Sequence, residues 1–206
     1  MINDGEVTAL AGSMALRKKG ESGNGVLGIA MGTSEGGGYV DMDGNITTWL
    51  SELAFAPVDL HPEAPADEWS GDLGVGAQYF SQQAVARLLP ASGIEYDASL
   101  SMPEQLKIVQ KLMEEGDERA LRIYDAIGIY LGYTLAHYAE FYEFEYVLLL
   151  GRVTTGPGGE HIIARSKEVM AAEFPELAAR IKFHFPDETE KRHGQAIAAA
   201  SLPKIG

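Results

Sequence analysis

The chain reads as a mixed α/β domain in which a small sheet is flanked by helices. Three observations predict this class. An apolar run from Val26 to Met31 breaks into a glycine-dense stretch, and a second apolar run from Tyr146 to Leu150 ends in Gly151. Long segments with helical apolar spacing fill the intervals between and after them. The expected order is helix, antiparallel strand hairpin, helices, strand, helix, strand, helix.

The first helix is predicted to start almost at Met1. Asn3 or Asp4 is a good N-cap, Val7, Leu10, Met14 and Leu16 mark an apolar stripe, and Arg17, Lys18 and Lys19 suit a last turn closed by Gly20. Residues 24–49 then read as strands. After Gly38 the chain alternates through Tyr39-Val40-Asp41-Met42, turns at Asp43-Gly44-Asn45 and resumes as Ile46-Thr47-Thr48-Trp49, which is a hairpin signature. The glycine turn, taken as Gly32 to Gly38, therefore sits between strands.

Pro57, Pro62 and Pro65 are too closely spaced for helix or central strand, so the passage Pro57 to Glu68 is expected to be an exposed loop. Gly76 to Leu89 is helical by composition and period and is expected to stop near Pro90. Ser101-Met102-Pro103-Glu104 opens a helix to about Glu115, which Gly116-Asp117 breaks. A longer helix from about Glu118 to Phe141 carries a wide apolar face of Leu121, Ile123, Tyr124, Ile127, Leu131, Tyr133, Leu135 and Tyr138. Its Gly128 and Gly132 would let another element approach closely.

Tyr146 to Leu150 reads as a fully buried strand, most naturally parallel to a neighbour. The loop Thr154-Thr155-Gly156-Pro157-Gly158-Gly159 and a helix from about Glu160 to Glu173 follow it. Strand, glycine-rich loop and helix in that order make a second candidate ligand loop at a strand's carboxyl end. Ile181 to Phe185 is a final strand and Glu190 to Ala200 a final helix.

Composition narrows the partners. A net charge of −14 over 206 residues repels nucleic acid and anionic membrane, because binding to either depends on Lys and Arg neutralising phosphate. No apolar run approaches the roughly 20 residues of a membrane helix, and the amino terminus lacks a basic-then-apolar signal pattern, so a cytoplasmic protein is expected. With no cysteine there is neither a disulfide framework nor a thiolate zinc site. The five histidines have no metal-ligand spacing, and no metal-binding side chains are expected.

The chemistry is placed at Gly32-Thr33-Ser34-Glu35-Gly36-Gly37-Gly38. Glycine lets a ligand approach the backbone amides, and Thr33 and Ser34 add hydroxyl donors, so the expected guest is an anion, a phosphate in a nest of N–H groups. A Walker loop or a dinucleotide fingerprint would lead into a helix, and this stretch does not. Against an acidic chain, a nucleotide would need these local dipoles and Mg²⁺. A glycine-rich hairpin with no ligand is the other reading of the same residues.

Several short motifs in order then carry a resemblance. Asn3-Asp4 leads into an Ala/Gly-rich helix; Gly32-Thr33-x-x-Gly36-Gly37-Gly38 lies on a hairpin; Ser51-Glu52-Leu53-Ala54 follows; Leu150-Gly151 precedes a glycine loop; Gly194-Gln195-Ala196 stands near the end. Together these resemble the ROK sugar kinases and repressors of the actin-like ATPase superfamily, from residue 2 to about residue 203. The resemblance implies a ribonuclease H-like (actin-like ATPase) lobe as a single domain over residues 1–206, with residues 1–20 as a hinge helix.

It further implies a hexose kinase that transfers the γ-phosphoryl group of ATP to a sugar hydroxyl, with ATP and Mg²⁺ as cofactors. Asp4 would match the general base and Asn3 a sugar ligand. Gly32 and Thr33, with Gly36 and Gly37 shaping the turn, would match a phosphate-binding loop. Glu52 would match a sugar-binding glutamate and Gly151 the start of the adenosine loop. Asp4 is equally suited to be a helix cap.

The sequence departs from the family pattern in several places. The Asp-x-Gly-Gly-Thr loop of the front lobe is absent, so only the carboxy-terminal lobe is matched. Phe55 stands where many members carry a histidine, the cysteine-rich zinc loop is missing, and no zinc is expected. Ala77 appears where a second sugar-binding glutamate often sits, and Arg152 replaces a glycine of the adenosine loop. A sugar-sensing or scaffold module that lost transfer, or an unrelated acidic α/β domain, remain as alternatives. A homodimer, or a complex with a separate front-lobe chain, is expected because a lone lobe exposes apolar surface.

Overall fold

The computed structural model describes residues 4–46 and 51–185, the side chain of Asp4 excepted. Helix α1 (Asp4–Lys18) leads into β1 (Val26–Met31) and β2 (Glu35–Val40), and short 3-10 turns follow at Leu53–Phe55 and Gly76–Gln78. Then come α2 (Gln82–Ser92), α3 (Met102–Glu114), α4 (Glu118–Tyr138), β3 (Tyr146–Leu150), α5 (Pro157–Glu173), α6 (Pro175–Ala178) and β4 (Lys182–His184). The four strands form one mixed sheet in the order β2-β1-β3-β4. β1 and β2 are antiparallel, while β3 runs parallel to both β1 and β4.

Strand alternation divides the core between the two faces of the sheet. Val26, Val40, Tyr146 and Leu148 pack with Ala9 and Leu16 of α1. On the other face Leu27, Ile29, Met31, Val147 and Leu149 meet the buried sides of α2 to α5, including Leu89, Leu106, Tyr124, Leu131, Leu135 and Ile162. The second cluster is the larger core.

α1 buries a different stripe from the expected one. Its buried positions are Gly5, Glu6, Thr8, Ala9, Gly12, Ser13, Ala15 and Leu16, whereas Val7, Leu10 and Met14 are only half-buried. The reason is distance. Gly28 and Gly38 leave the sheet bare beneath the helix, so its small residues pack backbone to backbone and the larger side chains lie along the flanks.

The glycine stretch is also arranged differently. The turn is short, from Gly32 to Ser34, and Gly36, Gly37 and Gly38 belong to β2, opposite Ala30, Ile29 and Gly28. Of the expected second hairpin, the bridge Val40 to Ile46 is present, and residues 47–50 lie outside the described residues.

Elsewhere the differences concern boundaries. The segment expected to be helical from Gly76 makes a 3-10 turn first, and α2 begins only at Gln82, where the hydroxyl of Ser81 accepts from the amide of Gln83 at 3.0 Å. It then passes through Pro90 and stops at Gly93, whose φ of 79° ends the helix in the left-handed conformation. The Pro57–Glu68 passage is not wholly exposed, since Ala64 and Asp67 are buried. α4 ends at Tyr138, and Leu121 and Tyr133 lie on its exposed side. The expected close approach at α4 is present: Gly128 faces the backbone of Ile162 and Gly132 faces Val169, both on α5. α5 starts at Pro157, three residues earlier than expected, and the expected helix Glu190–Ala200 lies outside the described residues. Among the described residues no helix is long and apolar enough to cross a membrane.

Candidate functional site

β1 and β3 run parallel, so their carboxyl ends open on the same edge of the sheet, where ligands of open α/β sheets bind. Met31 ends β1 and the turn Gly32-Thr33-Ser34 follows; Leu150 ends β3 and Gly151 follows. Gly151, with φ of 100°, lies directly against the carbonyl of Met31, and the amide of Val153 donates to that same carbonyl at 3.1 Å. The two glycine loops therefore lie side by side. A residue with a Cβ at position 151 would meet both backbone strain and the Met31 carbonyl.

The turn is fixed from two sides. The Gly32 amide donates to the Ser34 carbonyl at 3.0 Å, and the Gly32 carbonyl accepts from the Gln82 amide at the start of α2 at 2.8 Å. Thr33 and Ser34 are exposed, so their side chains are open to solvent rather than packed in the core. Across the second loop, Thr154 Oγ1 donates to the Gly151 carbonyl at 3.0 Å, and Gln110 Nε2 donates to the Arg152 carbonyl at 2.8 Å. The Arg152 carbonyl is thereby tied to α3, and Arg152 itself is exposed.

The start of α1 reaches the same hairpin. Gly5 rests on the carbonyl of Gly37, and Gly38 rests on the carbonyl of Gly5. Asp4 is the first residue of α1, so its backbone enters the helix beside β2. Its side chain, and Asn3, lie outside the described residues. From the other face, a Cβ at Gly37 would stand 2.5 Å from the Ser51 carbonyl, which brings the Ser51-Glu52-Leu53 segment to the hairpin, with Glu52 exposed. Gly32, Thr33, Ser34, Gly36, Gly37 and Gly151 are thus gathered at one end of the β1, β2 and β3 strands, and Glu52 is carried there by its neighbours.

Sequence reasoning passed over Glu35. It is fully enclosed, neither of its carboxyl oxygens has a hydrogen-bond partner among the described residues, and burial pushes its carboxyl up to about 8. Its carboxyl lies against Gly76. The available signal was a charged residue with strand register, one step before three glycines that cannot shield it. Of the positions that depart from the family pattern, Phe55 packs on the Trp69 ring with centroids 5.4 Å apart, and Ala77 is buried in the Gly76–Gln78 turn.

A surface hollow of about 690 Å³ between the end of α4 and the α5–α6 junction is lined by Tyr133, His137, Glu140, Phe174 and Arg180. None of these belongs to the glycine loops.

No family model matches the chain, and no curated protein matches it by sequence. Solved structures do match. A ROK hexokinase from Thermus thermophilus aligns at a TM-score of 0.69 and 20% identity, covering 97% of this chain and 62% of its own. A ROK family glucokinase from Streptomyces griseus, in complex with glucose and AMPPNP, aligns at 0.71 and 19%, covering 99% of this chain and 67% of its own. A ROK family transcriptional regulator, a homolog of the E. coli MLC protein, aligns at 0.71 and 16%, covering 96% of this chain and 50% of its own. The chain thus has the fold of the ROK sugar kinases and regulators, of the actin-like ATPase type, over roughly half to two thirds of their length.

Proposed function

We propose that the chain is the carboxy-terminal part of an ATP-dependent sugar kinase, binding phosphate groups at Gly32-Thr33-Ser34 and the adenosine end of the nucleotide at the loop that starts with Gly151. The single observation that carries this reading is the contact of Gly151 with the Met31 carbonyl, because it joins the two glycine loops at the carboxyl ends of parallel strands. Exposed amides and hydroxyls of the turn suit phosphate oxygens, and glycine at 36 and 37 shapes the hairpin behind them. Bound ATP would supply the phosphoryl group. Mg²⁺ would be carried on the phosphates together with water and one or two carboxylates, as is usual for this ion.

In this reading Asp4 takes the proton of the attacking hydroxyl, and Asn3 and Glu52 hold the sugar. The entry of α1 beside Gly37 and Gly38 supports this placement at the level of the backbone. Catalysis is then positioning plus charge neutralisation. Calorimetry with ATP-Mg²⁺ and a panel of hexoses tests the reading: nucleotide and sugar should both bind, and absence of nucleotide binding would overturn it.

A second reading is a sugar-sensing or scaffold module that does not transfer phosphate. It is favoured by the shared fold of a ROK transcriptional regulator, and by Phe55, Ala77 and Arg152, which depart from the pattern that the resemblance implies. Sugar binding without nucleotide binding in the same titration would select it.

A further inference from the structure

Glu35 poses a problem of acceptors. A Cβ at Gly76 would collide with both Glu35 Oε2 and the carbonyl oxygen of Leu53, so both oxygens lie against the bare face of Gly76. An ionised carboxylate and a carbonyl are both acceptors only, and enclosed side by side they repel. A protonated carboxyl removes the charge and supplies the O–H donor that the Leu53 carbonyl can accept. Glycine at 76 is what leaves room for this arrangement.

Among the described residues that pack against it, no other charge competes for the role. β1 and the Gly76–Gln78 turn contain no ionisable residue. The Leu53–Phe55 turn brings only the exposed Glu52 at its start, and β2 itself brings Tyr39, two pleats beyond on the same face. α4 brings Tyr138, whose enclosed hydroxyl has no hydrogen-bond partner among the described residues and whose ionisation is opposed by burial first and by Glu35 next. Tyr142 lies beyond it and also opposes ionisation of Tyr138. No cation on these elements stabilises a carboxylate at position 35, and burial is the one cause of its raised proton affinity.

We propose that Glu35 is a positioning residue that works as a neutral acid: protonated, it docks the Gly32–Ser34 turn onto the Gly76 and Leu53 backbone, and loss of its proton releases the turn. The docking stands without any ligand. Its consequence for phosphate binding, weaker binding as the solution becomes alkaline, rests on the proposed kinase reading.

The sign follows from linkage. A carboxyl whose proton is held more tightly in the folded chain contributes stability that is fully present below the unfolded value near 4.5 and is lost as pH rises through about 8. Above that the contribution is flat.

Hydrogen exchange of the 32–40 segment, corrected for intrinsic rate, at pH 6 and pH 9 tests the proposal in the wild-type chain and in E35Q. The glutamine amide donates at every pH and mimics the neutral acid. The wild type should lose at least tenfold in protection of the turn and β2 between the two pH values, while E35Q should stay protected at both. Equal protection of the wild type at pH 6 and pH 9, or an equal loss in E35Q, overturns the proposal. Should E35Q fail to fold, titration of the Glu35 carboxyl carbon by NMR in the wild type decides: a midpoint near 8 supports the docking, and one near 4.5 overturns it. Neither measurement involves nucleotide, so a failure of the kinase reading would show separately, as absence of ATP binding at pH 6.

Discussion

Gly5 of α1 and Gly37 of β2 are in backbone contact, with no room for a Cβ at Gly5 beside the Gly37 carbonyl. This contact, rather than any side-chain interlock, sets the height at which the helix carrying Asp4 crosses the hairpin. It explains why the buried stripe of α1 is made of small residues.

Gly5→Ala should therefore cost more than an ordinary helix substitution. Alanine is the better helix former by up to about 1 kcal/mol, but the obstacle is backbone on a paired strand, and overpacking of that kind costs about 1–3 kcal/mol. Gly12→Ala is the contrast, since its nearest neighbour is the Cδ2 atom of Leu148, 2.5 Å away at the end of a side chain that can rotate. Urea unfolding should show Gly5→Ala clearly less stable than Gly12→Ala; the reverse order would remove the contact from the account.

Gly132→Ala on α4 should also destabilise. Its Cβ would stand 2.7 Å from Val169 Cβ and 3.1 Å from the Ser166 carbonyl of α5. Valine is stiff at χ1 in a helix, so relief must come from moving the helices apart. A net loss of up to about 2 kcal/mol is expected after the propensity gain of about 1 is counted, read as a lower unfolding midpoint.

The loop of residues 57–75 is held by a polar pin. Tyr79 OH donates to Asp59 Oδ2 at 2.6 Å, Tyr130 OH reaches the same oxygen at 3.3 Å, and the Arg87 guanidinium sits 4.7 Å from the Tyr79 ring centre. The Tyr79 hydroxyl, and after it the His61 amide, hold the Asp59 carboxyl below its usual range. A carboxyl depressed in this way contributes stability above its unfolded value, and that contribution is lost as pH falls through the folded value. Tyr79→Phe should thus cost about 1 kcal/mol at pH 7, with the gap to wild type narrowing below about pH 4. Parallel denaturation curves at pH 7 and pH 3 check it.

Thr33→Ala with Ser34→Ala tests the turn as a phosphate site. Both side chains are exposed, so folding should be unaffected, within about 0.5 kcal/mol of wild type. Calorimetric affinity for ATP-Mg²⁺ should fall by about tenfold for about 1.4 kcal/mol of lost hydrogen bonding, and sugar affinity should hold. Unchanged nucleotide affinity would move the phosphates elsewhere.

Much of the fold was legible because the sheet is written in unambiguous runs. Val26–Met31 and Tyr146–Leu150 are apolar throughout, as strands covered on both faces must be, and Gly128 and Gly132 announced the close approach of α5. The start of α2 was not legible, because Gly76 to Phe80 has helical composition, while the packing of Gly76 against Glu35 and Leu53, which accompanies its 3-10 turn, is a tertiary contact. The buried stripe of α1 was misread for a related reason: hydrophobic periodicity records large side chains, and here the contact is made where side chains are missing. At the site, the glycines pointed to the hairpin and to the loop after β3. Nothing local to the sequence could show that Gly151 touches Met31, 120 positions earlier, since only the parallel register of β1 with β3 brings them together.

The bond from the Gln82 amide to the Gly32 carbonyl closes a lap: the chain leaves the hairpin after β2, makes its excursion through residues 41–81, and returns to the turn from which β2 set out. That excursion is clamped at its start where the Gly25 amide donates to the Asp41 carbonyl, at the far end of β2, and at its return on the turn, and closing a longer loop costs only about 0.6 kcal/mol for each doubling of length. Within this architecture the excursion is the segment whose length can drift most freely, so insertions or deletions between its clamps would reshape the rim of the site while its floor stayed put.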